Sequence, residues 1–315
     1  MPEKSELGEV AVHTDMNKQD MALRIRDGAG YIAALDQSGG STPTALATYG
    51  ISPTAYSSDS EMFALMHAMR SRIMTSPAFS SNQVLGAILF DRTMDAEIAG
   101  VSVPTYLWQE RGIVPFVKID EGLSPLVDGV QLMRPMPKLP ALLARAVERG
   151  VYGTKARSVI HSANAIGISS IVDQQISVAE KVLKSGLVPI LEPEVSVSSD
   201  DKSEAEIILR DKLLESLTRY FGSENIILKL TLPDTVNFYK DLSSIACVDR
   251  VVALSGGYSL KEACQKLALN DTMIASFSRA LLDRLRVDQS DEEFDAALQD
   301  VSDQIYAASV KKIYA

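Results

Sequence analysis

Several charged residues occur within segments that otherwise read as buried strands. Lys229 is the only charged residue in IILKLTLP, and LVPILEPEV carries Glu192 and Glu194. Side chains alternate between the two faces of a strand, so Lys229 shares a face with Ile227 and not with Leu228. Since an unpaired buried charge is costly, these groups are expected either to pair with one another or to serve a function.

Three further strand-like segments show the same anomaly: VKID contains Lys118 and Asp120, TKAR contains Lys155 and Arg157, and ALDQS contains Asp36. For each residue alone, a purely structural salt-bridge network remains an open interpretation. Ionisable groups converging at the ends of several strands favour a functional site.

Together, these residue types indicate carbonyl chemistry. A lysine such as Lys229, held in an apolar slot near a second cation such as Lys155, loses affinity for its proton. The neutral amine attacks a carbonyl and forms a Schiff base. Glu192 or Glu194 can shuttle the protons, and Asp36 can accept a proton from a substrate hydroxyl. This set suits the making or breaking of a carbon–carbon bond beside a ketone.

Two glycine-containing turns are candidate phosphate cradles. LSGGYS offers backbone N–H groups at Ser255, Gly256 and Gly257, with Arg279 of ASFSRA as a charged clamp. The second is QSGGST, which contains Ser38 and Ser41 and has Lys118 as its cation. Two cradles predict a substrate with a phosphate at each end.

The positioning elements are predicted from eight short apolar runs separated by helix-like segments. Nearly continuous apolar strands are typical of parallel sheets, and eight βα units predict a single-domain α/β fold, the TIM (β/α)8 barrel, with its chemistry at the C-terminal mouth. A doubly wound open sheet is the alternative, but DQSGGST lacks the GxGxxG pattern. The runs are 31–36, 85–91, 114–120, 152–160, 187–195, 226–233, 248–257 and 273–281.

Helix signals lie between the runs. Ser58 and Glu61 form a candidate capping box before a stripe of Met62, Met66, Met69 and Ile73, and Ser290 with Glu293 forms another before a closing helix. Residues 1–20 are predicted to be a polar N-terminal arm or short leading helix, and 21–315 to be the barrel with its C-terminal helix and tail. Further helices are predicted at 138–149, 165–185, 203–220, 236–245 and 259–268.

Composition narrows the class of protein. The 315 residues are 46% hydrophobic and 23% charged, with a formal net charge of −10, which argues against a disordered chain or a general nucleic-acid binder. Two cysteines indicate a reducing compartment, and three widely spaced histidines provide no metal-site spacing. Neither a long apolar stretch nor a signal-peptide core occurs. We expect a cytoplasmic protein acting on small molecules, without nucleic-acid or membrane partners.

The motifs as a set resemble the class I fructose-1,6-bisphosphate aldolases, most closely the bacterial group, from about Met16 to the C-terminal helix. The resemblance implies a homo-oligomeric barrel, either tetramer or dimer, that reversibly cleaves fructose 1,6-bisphosphate to dihydroxyacetone phosphate and glyceraldehyde 3-phosphate. It implies a covalent Schiff base, with neither metal nor cofactor. The motifs are GYIAALDQSGGSTPTAL, ILGAILF, GIVPFVKIDEGL, GTKARS, GLVPILEPEV, LKLTLP, VVALSGGYS and IASFSRALL.

The resemblance also implies roles for individual residues. Lys229 would form the Schiff base, Glu192 would be the general acid/base with Glu194 beside it, Lys155 would be a second catalytic lysine, and Asp36 would support proton transfer. Arg157 would be a phosphate-side contact. The other residues implied to lie around the phosphates are Ser41 and Lys118 toward one, and Ser255, Gly256, Ser276 and Arg279 around the other.

Two departures from the animal members stand out. Their basic pair after the first strand is replaced here by TPTALATYG. The animal members end in a catalytic tyrosine, and the counterpart here is Tyr314, the next-to-last residue. Two interpretations of Tyr314 are open: a solvated tail residue, or a residue that protonates the enamine.

Other interpretations remain. Transaldolase and deoxyribose-phosphate aldolase are also Schiff-base barrels, but the twin cradles favour a bisphosphate substrate. A catalytically silent barrel used as a scaffold would need every charged strand residue to be structural.

Overall fold

The computed structural model describes residues 17–220 and 224–313. Eight parallel strands, one from each predicted run, pair in sequence order. The sheet closes where the backbone N–H of Ala34 donates to the carbonyl of Phe277 at 3.1 Å. The predicted barrel is therefore correct and the open sheet is excluded. The strands are β1 (Tyr31–Leu35), β2 (Val84–Leu89), β3 (Val114–Lys118), β4 (Gly153–Ile160), β5 (Val188–Val195), β6 (Ile226–Thr231), β7 (Val248–Leu254) and β8 (Met273–Ala275).

The strands are buried on both faces, and their alternate residues enter two separate apolar clusters. Leu228 and Leu230 pack in the large cluster between the strands and the helices. Ile227, one residue away, belongs to a smaller cluster with Ile190 and Phe116 inside the barrel. The alternation predicted for β6 is thus confirmed, and Lys229 lies on the lumen face.

The N-terminal end of the barrel is closed by a helix over residues 17–27, labelled α1. Its Met21 and Ile25 join the lumen cluster. The Arg250 guanidinium holds it by donating to the carbonyl of Ile25 at 2.9 Å. The proposed boundary between arm and barrel at residue 20 falls within this helix, and residues 1–16 lie outside the described part of the chain.

Helices cover the outside of the barrel, with a short hairpin (Glu97–Ile98 and Val101–Ser102) and a strand at Val130–Gln131. Within 17–220 and 224–313, no helix combines the length and apolar character needed to cross a membrane. The α-helices are α2 (Ser41–Thr48), α3 (Asp59–Thr75), α4 (Asp91–Met94), α5 (Val103–Thr105), α6 (Leu139–Glu148), α7 (Ala165–Lys184), α8 (Lys202–Tyr220), α9 (Leu260–Ala268), α10 (Arg279–Leu282) and α11 (Asp291–Val310); a π-helix covers Tyr106–Glu110, and 3₁₀ turns cover Pro53–Ala55 and Lys240–Ser244.

The two predicted helix starts differ in their hydrogen bonds. Ser290 and Glu293 form a complete capping box at α11. At α3 the Ser58 hydroxyl accepts from the Glu61 N–H, but the Glu61 carboxylate accepts from the N–H of Ser57 instead of Ser58. The capping box predicted there is therefore only half formed.

The predicted helix at 236–245 is wrong: only the 3₁₀ turn Lys240–Ser244 forms there. Asn237 adopts a left-handed conformation with φ 58°, which an α-helix cannot accommodate. Its backbone N–H donates to the side-chain oxygen of Asn270 at 2.9 Å. A contact with a distant loop therefore replaces the first helical turn.

Candidate active site at the carboxyl end of the barrel

A cavity of about 700 Å³ opens at the carboxyl ends of the strands. Its walls bring together thirteen of the fourteen predicted site residues from β3, β4, β5, β6 and the segments after β1, β7 and β8. These thirteen are Asp36, Ser38, Ser41, Lys118, Lys155, Arg157, Glu192, Glu194, Lys229, Ser255, Gly256, Ser276 and Arg279.

One carboxylate joins the two lysines at the centre of the cavity. Glu192 Oε1 lies 3.0 Å from Lys229 Nζ, and its Oε2 lies 2.9 Å from Lys155 Nζ. All three residues are buried, with Lys229 only 3% exposed. We expected Lys229 to lie in an apolar slot beside another cation. Instead, Glu192 lies between Lys229 and Lys155, within proton-transfer distance of both amines.

Two aspartates complete this charged cluster. Asp36 Oδ2 lies 2.7 Å from Lys155 Nζ, and Asp120 Oδ2 lies 3.9 Å from the same nitrogen. Asp120 Oδ1 also pairs with Lys118 Nζ at 2.6 Å. Asp120 is absent from the predicted site, although its alternation with Lys118 in VKID was the signal that could have placed it there. Across the described ranges, no group of three or more His, Cys, Asp or Glu side chains has a metal-binding arrangement.

The charges in this cluster hold one another ionised. Burial alone would lower the pKa of Lys155, but Asp36, Glu192 and Asp120 outweigh it and raise that pKa above its ordinary value. Burial would raise the pKa of Asp36, but the charges of Lys155 and Lys229 lower it. The same two lysines lower the pKa of Glu192 against its burial. The resting cavity therefore contains the Lys155 ammonium together with the carboxylates of Asp36 and Glu192.

Arg157 and Glu194 form a second ion pair near the mouth, with Nε and Oε2 separated by 2.5 Å. Burial alone would lower the pKa of Arg157, but the charge of Glu194 and its hydrogen bond outweigh burial and raise that pKa above its ordinary value. Two predicted phosphate contacts, Arg157 and Lys118, are thus already paired with carboxylates. An incoming anion would share these cations with their acids.

The cradle after β7 is open to the cavity. Gly256 has φ 62°, and a Cβ there would lie 2.6 Å from Val197 Cγ1, so this turn requires glycine. Arg279 Nη2 lies 3.5 Å from the position a Cβ would take on Gly257, the one predicted residue that does not line the cavity. The Ser276 hydroxyl is buried without a hydrogen-bond partner among the described residues. These groups surround a space that an anion can enter.

The cradle after β1 is the start of α2. The Ser38 N–H donates to Ser41 Oγ at 3.0 Å, and Gly39 between them has φ 54°. The next cavity-facing residues, Thr44 and Thr48, are uncharged. The departure at TPTALATYG therefore makes this wall neutral, and the nearby charge comes from β3 and β4.

Sequence reasoning also missed Gln37 and Ser278, which line the cavity and are joined by a hydrogen bond of 2.7 Å from Gln37 Nε2 to Ser278 Oγ. Their types carry no chemical signal, and only the fold brings the β1 and β8 loops together. Tyr314 lies outside the described residues.

Comparison with known proteins identifies the family. Residues 20–238 match the family model described as fructose-bisphosphate aldolase class-I. A curated relative from Synechocystis sp., named fructose-bisphosphate aldolase class 1, is 49% identical over 292 residues, which are 93% of this chain and 97% of the relative.

Among solved structures, a Plasmodium falciparum fructose-bisphosphate aldolase in complex with TRAP and an inhibitor superimposes with a TM-score of 0.74 at 18% identity, covering 96% of each chain. A Corynebacterium glutamicum protein superimposes with a TM-score of 0.51 at 12% identity, covering 98% of this chain and 97% of that one. At these identities the two structures bear on the fold alone. With the family model matching more than half of its length and a relative sharing nearly half of its residues, the chain belongs to the class I fructose-bisphosphate aldolase family.

Proposed function

We propose that this chain reversibly cleaves fructose 1,6-bisphosphate to dihydroxyacetone phosphate and glyceraldehyde 3-phosphate through a Schiff base on Lys229. The observation that carries the proposal is the central cluster, in which Lys229 Nζ lies in the lumen 3.0 Å from a carboxylate oxygen of Glu192. A buried amine beside a proton acceptor, opening on a substrate-sized cavity, is what nucleophilic attack on a ketone requires.

The first half of the reaction uses Glu192 as the proton carrier. It takes a proton from the Lys229 ammonium, and the free amine attacks C2 of the open-chain ketose to form a carbinolamine. Glu192 then returns a proton to the carbinolamine hydroxyl, which leaves as water, and the iminium remains. Lys155, bound to the other oxygen of Glu192 at 2.9 Å, keeps the carboxylate oriented and stabilises its charge between transfers.

The second half breaks the carbon–carbon bond. Asp36 accepts the proton of the C4 hydroxyl, the C3–C4 bond breaks, and its electron pair moves into the iminium to form an enamine. The aldehyde product leaves, the proton held by Asp36 is returned to C3 of the enamine, and water releases dihydroxyacetone phosphate from Lys229. The iminium is the electron sink, so this route needs neither a metal ion nor a dissociable cofactor.

The two cradles would bind the two phosphates of the substrate. Ser255, Gly256, Gly257 and Arg279, with the unpartnered Ser276 hydroxyl, form one site. The other site consists of Ser38, Ser41, Lys118 and Arg157, which also line the cavity. Backbone N–H groups and cations are the groups that recognise phosphate oxygens.

Reductive trapping tests the proposal directly. Borohydride added with dihydroxyacetone phosphate is expected to reduce the iminium and leave a stable mass adduct, which peptide mapping would place on Lys229. An adduct on another lysine, or none at all, would refute the assignment. Cleavage activity is also expected to persist in EDTA.

A substrate comparison tests the cradles. Fructose 1,6-bisphosphate can occupy both cradles at once, whereas fructose 1-phosphate can occupy only one. We expect a higher kcat/KM for the bisphosphate; equal values would remove the role proposed for one cradle.

The proposal includes a homo-oligomer, dimer or tetramer, in the cytoplasm. Both cysteines, Cys247 and Cys264, are free thiols, as a reducing compartment requires. Leu126, Val127 and Ile166 are exposed apolar side chains, which favours burial against another copy. Sedimentation equilibrium would give the subunit number, and a monomer would contradict this part of the proposal.

A further inference from the structure

A buried arginine lies directly behind the cavity wall. Arg70 of α3 is 1% exposed, and the groups that accept hydrogen bonds from it are uncharged. Its Nη1 donates to Thr93 Oγ1 at 2.7 Å and its Nη2 to the carbonyl oxygen of Gln37 at 2.5 Å. Burial lowers the pKa of Arg70 to about 10, while the charge of Asp36 acts in the opposite direction.

A buried cation without a direct carboxylate partner is costly to keep. The proposed reaction steps do not use it, because it does not line the cavity. What it holds is the peptide between Gln37 and Ser38, at the start of the β1 cradle. The carbonyl and N–H of a trans peptide point in opposite directions, so the contact from Arg70 also sets where the Ser38 N–H points. In the structure that N–H meets Ser41 Oγ at 3.0 Å.

The side chain of Gln37 extends this contact to the neighbouring β8 loop. Its Oε1 accepts from Arg70 Nη2 at 3.3 Å, and its Nε2 donates to Ser278 Oγ at 2.7 Å. Ser278 lies in the β8 loop, immediately before the cradle arginine Arg279. A continuous path, which we call the Arg70–Gln37–Ser278 strut, therefore connects the loops that carry the two cradles.

We propose that Arg70 is a positioning residue that, through the Arg70–Gln37–Ser278 strut, sets the separation of the two phosphate cradles and so the preference for a bisphosphate over a monophosphate substrate. This inference rests on the proposed function, because it assumes that both cradles bind phosphate. The spacing matters only when both are occupied by one molecule, since a monophosphate uses one cradle and does not sense the other.

The test is the ratio of kcat/KM for fructose 1,6-bisphosphate to that for fructose 1-phosphate. We expect Arg70→Met and Gln37→Met to lower this ratio about tenfold, and Ser278→Ala, which removes one neutral hydrogen bond, to lower it about threefold. Arg70→Lys keeps the charge but not the forked geometry, and is expected to restore part of the ratio. If Arg70→Met does not fold, Gln37→Met and Ser278→Ala decide the outcome.

Arg111 provides a matched control. Its Nη2 also donates to two backbone carbonyls, those of Ser76 and Phe79, each at 2.7 Å, and it does not line the cavity. Arg111→Met is expected to lower Tm and leave the substrate ratio unchanged. A similar fall in the ratio for Arg111→Met, or an unchanged ratio in Gln37→Met and Ser278→Ala, would overturn the proposal.

A double-mutant cycle on the substrate ratio distinguishes coupling through the strut from a general structural role of Arg70. If Arg70 and Ser278 act through the same glutamine, the effects of Arg70→Met and Ser278→Ala on the ratio are less than additive. Additive effects would contradict the strut. Borohydride trapping with dihydroxyacetone phosphate is run on every variant. If the variants still form the adduct at Lys229 and their substrate ratio is unchanged, the strut proposal alone is refuted. If the unmodified protein forms no adduct, the proposed function is refuted and the strut proposal with it.

Discussion

Two layers of side chains fill the barrel lumen from the same faces of the same strands. The lower layer is apolar, and the upper layer, two residues further along each strand and about 7 Å higher, is polar or charged. The lower layer includes Ala34, Phe116, Ile190, Ile227 and Ile274; the upper layer includes Asp36, Lys118, Lys155, Glu192, Lys229 and Ser276.

Within one strand, the lower-layer residue contributes to stability and the upper-layer residue to the proposed chemistry. Phe116 and Ile227 are fully buried in the apolar lumen cluster. Lys229 and Glu192 are almost as buried, but they face a cavity and depend on each other for charge compensation. Burying such an ion pair is often no better for stability than an apolar pair. The upper layer is therefore where the proposed reaction should be sensitive, and the lower layer is where folding should be.

The largest expected effect comes from the upper layer. We expect Lys229→Met to lower kcat about 10⁴-fold or more, because no other side chain supplies the Schiff-base amine. Tm should change little, since methionine has a similar volume and Glu192 keeps Lys155 as its partner. A coupled aldolase assay and thermal unfolding would measure both, and activity above about one hundredth of normal would contradict the role of Lys229.

The lower layer should behave in the opposite way. Phe116→Ala is expected to lower the free energy of unfolding by about 3–5 kcal/mol, because a fully buried ring leaves a cavity. Its folded fraction should keep kcat within about tenfold, because the side chain is one layer away from the reacting groups. Urea denaturation and active-site titration would separate the two quantities. A large loss of kcat with unchanged stability would mean that the layers are not distinct.

Acid should weaken the upper layer selectively. The folded-state pKa of Asp36 lies below its ordinary value, chiefly because Lys155 and Lys229 outweigh its burial. This stabilisation is present above the unfolded pKa of about 4 and is lost as pH falls through the lower, folded value. In Asp36→Asn, the loss of unfolding free energy on acidification should be smaller than in the unmodified protein by about 2 kcal/mol. Asp27→Asn, in an exposed ion pair with Arg26, is the control and should leave the profile unchanged.

Lys312 provides the smallest expected effect and a contrast with Lys155. It donates to the carbonyls of Leu267, Met273 and Ala308 near the N-terminal end of the barrel, and burial lowers its pKa to about 8. Since the unfolded lysine keeps its proton to about pH 10.4, stability should rise between pH 8 and 10 by about 1 kcal/mol.

Lys312→Met should remove that rise. Chemical denaturation at pH 7, 8, 9 and 10, for the unmodified protein and the variant, would measure it. A stability that falls over this interval, once the variant is subtracted, would contradict the predicted sign.

Much of the fold was predictable from local pattern. Eight apolar runs correspond to the eight barrel strands, and alternation alone placed Lys229 and Glu192 on the lumen face. Strand alternation is a property of the backbone and does not depend on neighbours, so it survives folding unchanged. The segment 236–245 failed because Asn237 bonds to Asn270, a contact that no local signal announces.

Pairing within the site was less predictable. Residue type and position indicated an acid near the two lysines, but not that Glu192 would lie between them or that Asp120 would join Lys118 and Lys155. Those partners come from different strands, and their distances depend on barrel register and rotamers. The Arg70 contact is further removed still, because it joins the inner face of α3 to a loop 33 residues earlier.

By itself the sequence determined where the strands lie along the chain, which residues face the lumen and which types of side chain are available at the mouth. These follow from alternation and composition along a single chain. Only the tertiary structure decided which carboxylate pairs with which lysine, how the loops after β1 and β8 are joined, and which buried arginine contacts the first of them. Electrostatic pairing depends on separations of a few ångströms between segments far apart in sequence, and closure of the barrel is what sets those separations.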